Sequence, residues 1–228
     1  RPMTAASGFK AVFDIVLAQG TPATVSEQGS APTPGANDVS QLSTTGNTTN
    51  PNSKNYYSNA SSSSTPIPPG EQFTTSGSNP GGYALTDVYL MTGNGSGNGI
   101  GSLTPWTLYV YSVSGSTAVL LHSYTGLTGS AFVNGDWIHF SNLSINLAAN
   151  STYAFAISTS ASVSGPYTGL ENSTTSLAGG NAVLVNSGSG AVTTVTGFNA
   201  VFDIGLSPIA APGPPTAVSA AAGNNQVV

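Results

Sequence analysis

A ten-residue segment occurs twice in this chain, 189 positions apart. Residues 8–17 read GFKAVFDIVL and residues 197–206 read GFNAVFDIGL, with eight of the ten positions identical. Both copies alternate apolar and mixed positions with a period of two, which predicts a β-strand with one buried face. The predicted apolar faces consist of Phe9, Ala11, Phe13, Ile15 and Leu17 in the first copy, and of Phe198, Ala200, Phe202, Ile204 and Leu206 in the second.

The composition of the whole chain also favours β structure. Only 5% of the residues are charged, and the abundant Ser, Thr, Asn and Gly weaken helices. Turn signals such as NPGG at 79–82 separate short alternating segments. These segments predict strands at 71–75, 83–91, 106–113, 117–124, 136–142, 153–158, 182–185 and 191–206. We therefore predict an all-β fold, a jelly-roll-like antiparallel sandwich with an N-terminal extension strand.

Four segments differ in composition along the chain. Residues 1–20 form an N-terminal extension that contains the first copy of the repeated strand. Residues 21–70 are rich in Ser, Thr, Pro and Asn, which predicts a loop-rich linker and domain entry with at most short strands. Residues 71–208 carry the regular strands of the predicted jelly-roll core, and residues 209–228 begin with a Pro-rich linker.

Two resemblances to known families follow from longer motifs. Residues 25–206 resemble the secreted bacterial β-sandwich domains that precede fibronectin type III modules or cell-surface anchors, through VSEQGSAPTPGANDVSQL, EQFTTSGSNPGGYALTDVYL and LSINLAANSTYAFAIS. The segment PPTAVSAAAG in residues 209–228 resembles the start of a type III domain that would continue beyond Val228. These resemblances imply an extracellular protein, secreted or attached to the cell surface, but they do not specify its function.

The charge pattern argues against several classes of partner. The formal net charge is −5 with only three basic residues, so a polyphosphate backbone finds few cations and we expect no nucleic acid partner. No apolar run approaches the ~20 residues that span a bilayer, so we expect no membrane span. The chain has no cysteine, which leaves no disulfide and no thiolate chemistry.

No motif predicts catalysis. His122 and His139 fall within strand patterns, which is typical of surface or pairing positions on a sheet. The eight carboxylates are dispersed, whereas a glycosidase needs two of them close together. We therefore expect no catalytic residue, no enzyme activity, no cofactor and no metal site. A structural Ca²⁺ bound near Asp38 or Asp136 is the alternative that the sequence leaves open.

Sugars are the remaining small-molecule candidates. Trp106 alternates with Leu108 and Val110, so we expect it in the core. Tyr109 and Tyr111 share the opposite face of the same predicted strand, and we expect them to be exposed as a possible glycan-binding pair. Asn-x-Ser/Thr sequons, which permit N-glycosylation, occur at Asn47, Asn59, Asn94, Asn142, Asn150 and Asn172.

Three interpretations account for the repeated strand. Residues 8–17 are the first strand of the same domain, beside residues 197–206; or they are the tail of a preceding tandem copy; or they are donated to the sheet of a neighbouring subunit. Donation repeated head-to-tail produces a filament. Our preferred hypothesis is a structural subunit of an extracellular filament or surface layer, with copies of itself as partners, and in this respect the chain resembles fibril subunits that assemble by donor-strand exchange. The alternative is a carbohydrate-binding or adhesion module of a larger surface protein.

Overall fold

The computed structural model describes residues 21–44, 69–91, 105–128, 135–159, 172–173, 177, 180–186, 189–194, 199–211 and 213. These residues form β-strands and turns, and within them no helix is long and apolar enough to cross a membrane. The strands are β1 (Thr24–Gln28), β2 (Val39–Gln41), β3 (Pro69–Thr74), β4 (Tyr83–Met91), β5 (Trp106–Ser114), β6 (Thr117–Leu127), β7 (Trp137–Ser141), β8 (Ile145–Leu147), β9 (Thr152–Thr159), β10 (Asn172–Ser173), β11 (Asn181–Val185), β12 (Val192–Thr194), β13 (Asn199–Ala200) and β14 (Phe202–Pro208).

The strands build two antiparallel sheets. Sheet A has the order β1-β7-β4-β14-β2, with β8 also paired to β4, and sheet B has the order β12-β11-β3-β9-β5-β6. If β1, β8 and β10–β13 are treated as additions, eight principal strands remain. We number these eight strands along the chain, starting from β2. Sheet A then has the spatial order 1-8-3-6 (β2, β14, β4 and β7), and sheet B has the order 2-7-4-5 (β3, β9, β5 and β6). This is the strand order of a jelly roll, so the predicted all-β jelly-roll-like sandwich is confirmed.

Alternation along the strands fills one core between the sheets. In β5, Trp106, Leu108 and Val110 are buried, which confirms the core position predicted for Trp106. Phe202 of β14 contacts Phe155 of β9 across the core, with ring centroids 5.5 Å apart and an edge-to-face angle of 63°. This geometry is favourable for two aromatic rings, and it joins the last strand of sheet A to the middle of sheet B.

Two strands of sheet A lie in the segment predicted to be a linker and domain entry. β1 pairs with β7 from Thr24, opposite Ser141, to Gln28, opposite Trp137. β2 pairs with β14, with Val39 opposite Ile204. Because β2 is the first principal strand of the jelly roll, the domain begins well before the predicted boundary at residue 71.

The single strand predicted at 191–206 is divided into three. β12 pairs with β11, β13 pairs with β10, and β14 pairs with β4 and β2. Val201 interrupts the run between β13 and β14, where its carbonyl oxygen accepts a hydrogen bond from the N–H of Met91 (2.9 Å). The second copy of the repeated segment therefore leaves a small two-stranded sheet and enters sheet A at Phe202.

Candidate functional site

The second copy of the repeated strand is enclosed on both sides. β4 pairs with β14 along its whole length, and β2 pairs with it from Phe202 to Ile204. β10 pairs with Asn199 and Ala200. Residues 8–17 lie outside the described residues, so the first interpretation of the repeat, in which they lie beside 197–206 as the first strand, stays a prediction, although the place beside Phe202–Ile204 is already taken. β2 takes that position in the jelly roll.

The apolar face predicted for this copy is confirmed wherever it is described. Ala200, Phe202 and Ile204 are fully buried, and Leu206 is 6% exposed. Phe198 lies outside the described residues, as does the whole apolar face of the first copy, namely Phe9, Ala11, Phe13, Ile15 and Leu17. The second copy thus forms an integral part of the core of the domain.

Two carboxylates from distant parts of the chain hold the backbone of this copy. The N–H of Ala200 donates to Glu71 Oε2 (2.7 Å), and the N–H of Leu206 donates to Asp38 Oδ1 (2.8 Å). Asp38 Oδ2 also accepts from the N–H of Gly35 (2.6 Å). Because these bonds go to backbone N–H groups, they depend on the path of the strand rather than on its side chains.

The two copies of the repeat differ at two positions. One of these differences affects whether residues 8–17 could occupy the position that residues 197–206 hold in the fold. Gly205 corresponds to Val16. A Cβ built at Gly205 would lie 3.0 Å from Asp87 Cβ and 3.1 Å from Thr86 Oγ1, which is closer than ordinary van der Waals contact. The other difference is Asn199 against Lys10, and Asn199 is buried. The place that holds residues 197–206 is therefore less suited to residues 8–17.

Gly205→Val, which introduces the residue of the first copy, is expected to lower the free energy of unfolding by about 1–3 kcal/mol, the usual cost of overpacking. Urea denaturation measures this change. Ser207→Val, an exposed position on the same strand, is the matched control and is expected to change stability little. Equal stability of Gly205→Val and wild type would mean that this place accepts either copy.

An acidic groove lies along the outer face of sheet A, beside β14. The groove has a volume of about 760 Å³, and Asp38, Asp87, Tyr89 and Asp203 are among its lining residues. Tyr89 pairs with Asp203 on one side and with His139 on the other. The Tyr89 and His139 rings are stacked with centroids 4.0 Å apart, and His139 Nε2 is hydrogen-bonded to Asp87 Oδ1 (2.7 Å).

Among the described residues, no Lys or Arg side chain lies beside the acids of this groove. The three basic side chains of the sequence, Arg1, Lys10 and Lys54, all lie outside the described residues. Burial, together with the charges of Asp38 and Asp87, raises the pKa of Asp203 to about 7. Asp203 Oδ1 is buried and has no hydrogen-bond partner, which agrees with a carboxyl group that keeps its proton.

A second carboxyl group is buried in the core. Glu71 lies on the same face of β3 as the core residue Phe73, and both side chains are almost completely inaccessible. Burial raises the pKa of Glu71 to about 8, although the hydrogen bond from the N–H of Ala200 opposes that rise. Its second oxygen, Oε1, has no partner. At neutral pH this group is predominantly protonated, so it completes the core without a buried charge.

Three groove carboxylates together raise the question of catalysis or metal binding. Asp203 lines the groove but is only 1% exposed, so it contributes little accessible surface there. Among the described residues, no group of three or more His, Asp or Glu side chains is placed to hold a metal ion. Asp38, one of the two residues considered for Ca²⁺, uses both oxygens to bind backbone N–H groups. Asp38 thus binds the backbone of β14 at Leu206 and the turn at Gly35.

The predicted glycan-binding pair is differently placed than expected. Tyr111 is 3% exposed and packs with Ala118 and Val183 in a second cluster on the outer face of sheet B, so its predicted exposure is wrong. Tyr109 is half-buried, its ring is 6.1 Å from that of Tyr111, and its hydroxyl accepts a hydrogen bond from Ser158 Oγ (3.3 Å). The small side chains of Ala154 and Ala156 on β9 leave room for the two rings to lie against the sheet.

Two of the six sequons are described in full. Asn142 and Asn150 are both exposed in turns and have positive φ angles of 57° and 48°, a conformation that Asn tolerates better than most residues. Asn172 begins β10, while Asn47, Asn59 and Asn94 lie outside the described residues. N-glycosylation stays a prediction at all six.

Several contacts around the groove and β14 could not be predicted from the sequence. Asp87 and His139 are 52 positions apart, and Asp38 and Leu206 are 168 positions apart, so only the pairing of strands brings them together. The burial of Glu71 could have been predicted, because its spacing from Phe73 places it on the core face of a strand. No protein-family model, no curated protein and no solved structure matches this chain.

Proposed function

We propose that this chain is a structural subunit of an extracellular filament or surface layer, and that it assembles head-to-tail through its N-terminal strand. The observation that carries the proposal is the duplication of β13 and β14 in residues 8–17. The jelly roll already contains all eight principal strands between residues 39 and 208. A second copy of its last strand is surplus to that fold.

The surplus strand has a strong energetic reason to be covered. Phe9, Phe13, Ile15 and Leu17 correspond to positions that are buried in the second copy wherever it is described. Burial of each such side chain stabilises a protein by about 1.5–3 kcal/mol. A strand of this kind with a free edge associates with other sheets, and a neighbouring copy of the chain supplies a sheet at every step of a filament.

The geometry of β14 supports donation outside the strand's own position. Both sides of Phe202–Ile204 are already paired, and Val16 would be crowded where Gly205 lies close to Asp87. Residues 8–17 therefore gain more from another sheet edge than from exchanging with their own twin. A contact between two different surfaces of the subunit does not close on itself and produces a fibre.

The other candidate functions have less support. The carbohydrate-binding alternative depended on exposed Tyr109 and Tyr111, and Tyr111 is buried. Catalysis by the groove carboxylates is also less supported, because Asp203 is only 1% exposed. We therefore include in the proposal that the subunit is not an enzyme and that its principal partners are copies of itself.

Deleting residues 1–20 is expected to leave a folded monomer that forms no filaments, because the first described strand begins at Thr24. Negative-stain electron microscopy and sedimentation measure assembly, and circular dichroism checks the fold. A chain that lacks only residues 1–7 keeps the repeated strand and serves as the matched control, which should still assemble. Filaments of normal length from the chain without residues 1–20 would overturn the proposal.

A further inference from the structure

The sheets of the jelly roll end in four strands of very unequal length. Sheet A ends at β1, which has five residues, and at β2, which has three. Sheet B ends at β12, which has three residues, and at β6, which has eleven. Among the described strands, β6 has the longest edge, and its pairing with β5 shifts register between Leu120 and His122 and between Tyr124 and Leu127.

Most of this long edge has no strand beside it in the described part of the chain. At its beginning, Thr117 bridges to Ala191, and the N–H of Ala118 donates to the carbonyl oxygen of Gly190 (2.7 Å). From Val119 to Leu127, β6 pairs only with β5. These nine residues form what we call the free edge of β6, and at about 3.3 Å per residue they span about 30 Å.

The free edge is also apolar where a protected edge would be charged. Val119 is 61% exposed, Leu120 is 48% exposed and Leu121 is 42% exposed, and these are the exposed large hydrophobic side chains recorded for the described residues. β6 contains no Lys, Arg, Asp, Glu or Pro. Natural sheets block long edges with such residues or with β-bulges. β6 has two register shifts but none of these residues, so its apolar stretch Val119–Leu121 is suited to receiving another strand.

We propose that the free edge of β6 accepts residues 8–17 of a neighbouring copy, an inference that rests on the proposed function and names its acceptor. The length of the segment matches that of the free edge. Its two faces match as well, because Val119 and Leu120 point to opposite faces of β6 and the segment carries Val12 and Val16 opposite its main apolar face. The other three edges are too short to pair with it along its length.

The edge beside β14 is a poorer acceptor for a second reason. There β2 covers three residues of β14, and the carboxylate of Asp38 accepts from the N–H of Leu206 just beyond them. A strand added to β14 would have to displace both. The free edge of β6 requires no such displacement among the described residues.

Two single variants of the full chain test the pairing. Phe13→Lys disables the donated strand, and Leu120→Lys places a charge on the free edge of β6 at a half-exposed position where a Lys side chain reaches water. Each variant alone is expected to be a folded monomer. An equal mixture is expected to give dimers, because the intact strand of one variant pairs with the intact β6 of the other and growth then stops.

The controls and outcomes separate this inference from the function on which it rests. Asn146→Lys, which adds the same charge at an exposed position on β8, should assemble as wild type does, and thermal melts confirm folding of every variant. If Leu120→Lys forms filaments while Phe13→Lys does not, or if the mixture gives no dimer, β6 is not the acceptor. If Phe13→Lys forms filaments, or if wild type stays monomeric, the proposed function itself is overturned.

Discussion

At pH 9, Glu71→Gln is expected to be more stable than the wild-type domain by about 5 kcal/mol, while at pH 4 the two are expected to differ little. Glu71 is buried in the core and has a pKa of about 8, against an ordinary value of 4.5. One pKa unit corresponds to about 1.4 kcal/mol of differential stability. The expected change is comparable with the 5–15 kcal/mol that stabilises a typical domain.

The sign follows from proton binding. Between about pH 4.5 and pH 8 the folded chain keeps the proton on Glu71 and the unfolded chain loses it. The contribution of Glu71 to stability is therefore complete below about pH 4.5, is lost as the pH rises to about 8, and then stays constant. Asp203, whose pKa burial raises to about 7, changes stability in the same direction.

Urea denaturation at intervals from pH 4 to pH 9 measures this dependence. Gln keeps a carbonyl oxygen that accepts from the N–H of Ala200 and cannot ionise, so the variant's profile should be flatter than that of wild type. Glu27→Gln on the edge strand β1, where the side chain is only half-buried, is the matched control and should retain the wild-type slope. Parallel profiles for wild type and Glu71→Gln would mean that Glu71 is ionised in the folded domain.

The elements that sequence analysis predicted well are those defined by local alternation. β5, β9 and the core face of β14 each repeat apolar residues with a period of two, and β4 does so on either side of a register shift between Leu85 and Asp87. That period is the same whichever strands lie beside them. β1 and β2 have five and three residues in a Pro- and Ser-rich segment. Their pairing with β7 and β14 arises from contacts more than a hundred positions away in sequence, which no local pattern records.

The same distinction explains what was missed around the candidate site. Alternation correctly assigned Tyr109 and Tyr111 to the face opposite Trp106, but it could not indicate that this face is partly covered by Ala118 and the β11–β12 hairpin. The hydrogen bonds from Ala200 of β13 to Glu71 and from Leu206 of β14 to Asp38 likewise depend on which strands become neighbours. Period-two patterns identify which face a side chain lies on, while its burial depends on the packing of other elements over that face.

Phe202→Ala and Phe13→Ala make the same substitution in the two copies of the repeat. We expect the first to lower the stability of the domain and the second to weaken assembly. Phe202 is fully buried and contacts Phe155, so its truncation should lower the free energy of unfolding by about 3–5 kcal/mol. Phe13→Ala should leave that free energy unchanged in dilute monomers, because the jelly roll is complete without residues 8–17. It should instead weaken assembly.

These two variants separate donation to a neighbour from burial within the same chain, since the sequence around each Phe is nearly identical. Urea denaturation of dilute protein measures stability, and the critical concentration for filament formation measures assembly. If residues 8–17 are covered by their own domain, Phe13→Ala should destabilise the monomer as Phe202→Ala does. If they are donated, the loss should appear as a higher critical concentration, because the buried surface of Phe13 then belongs to the contact between subunits.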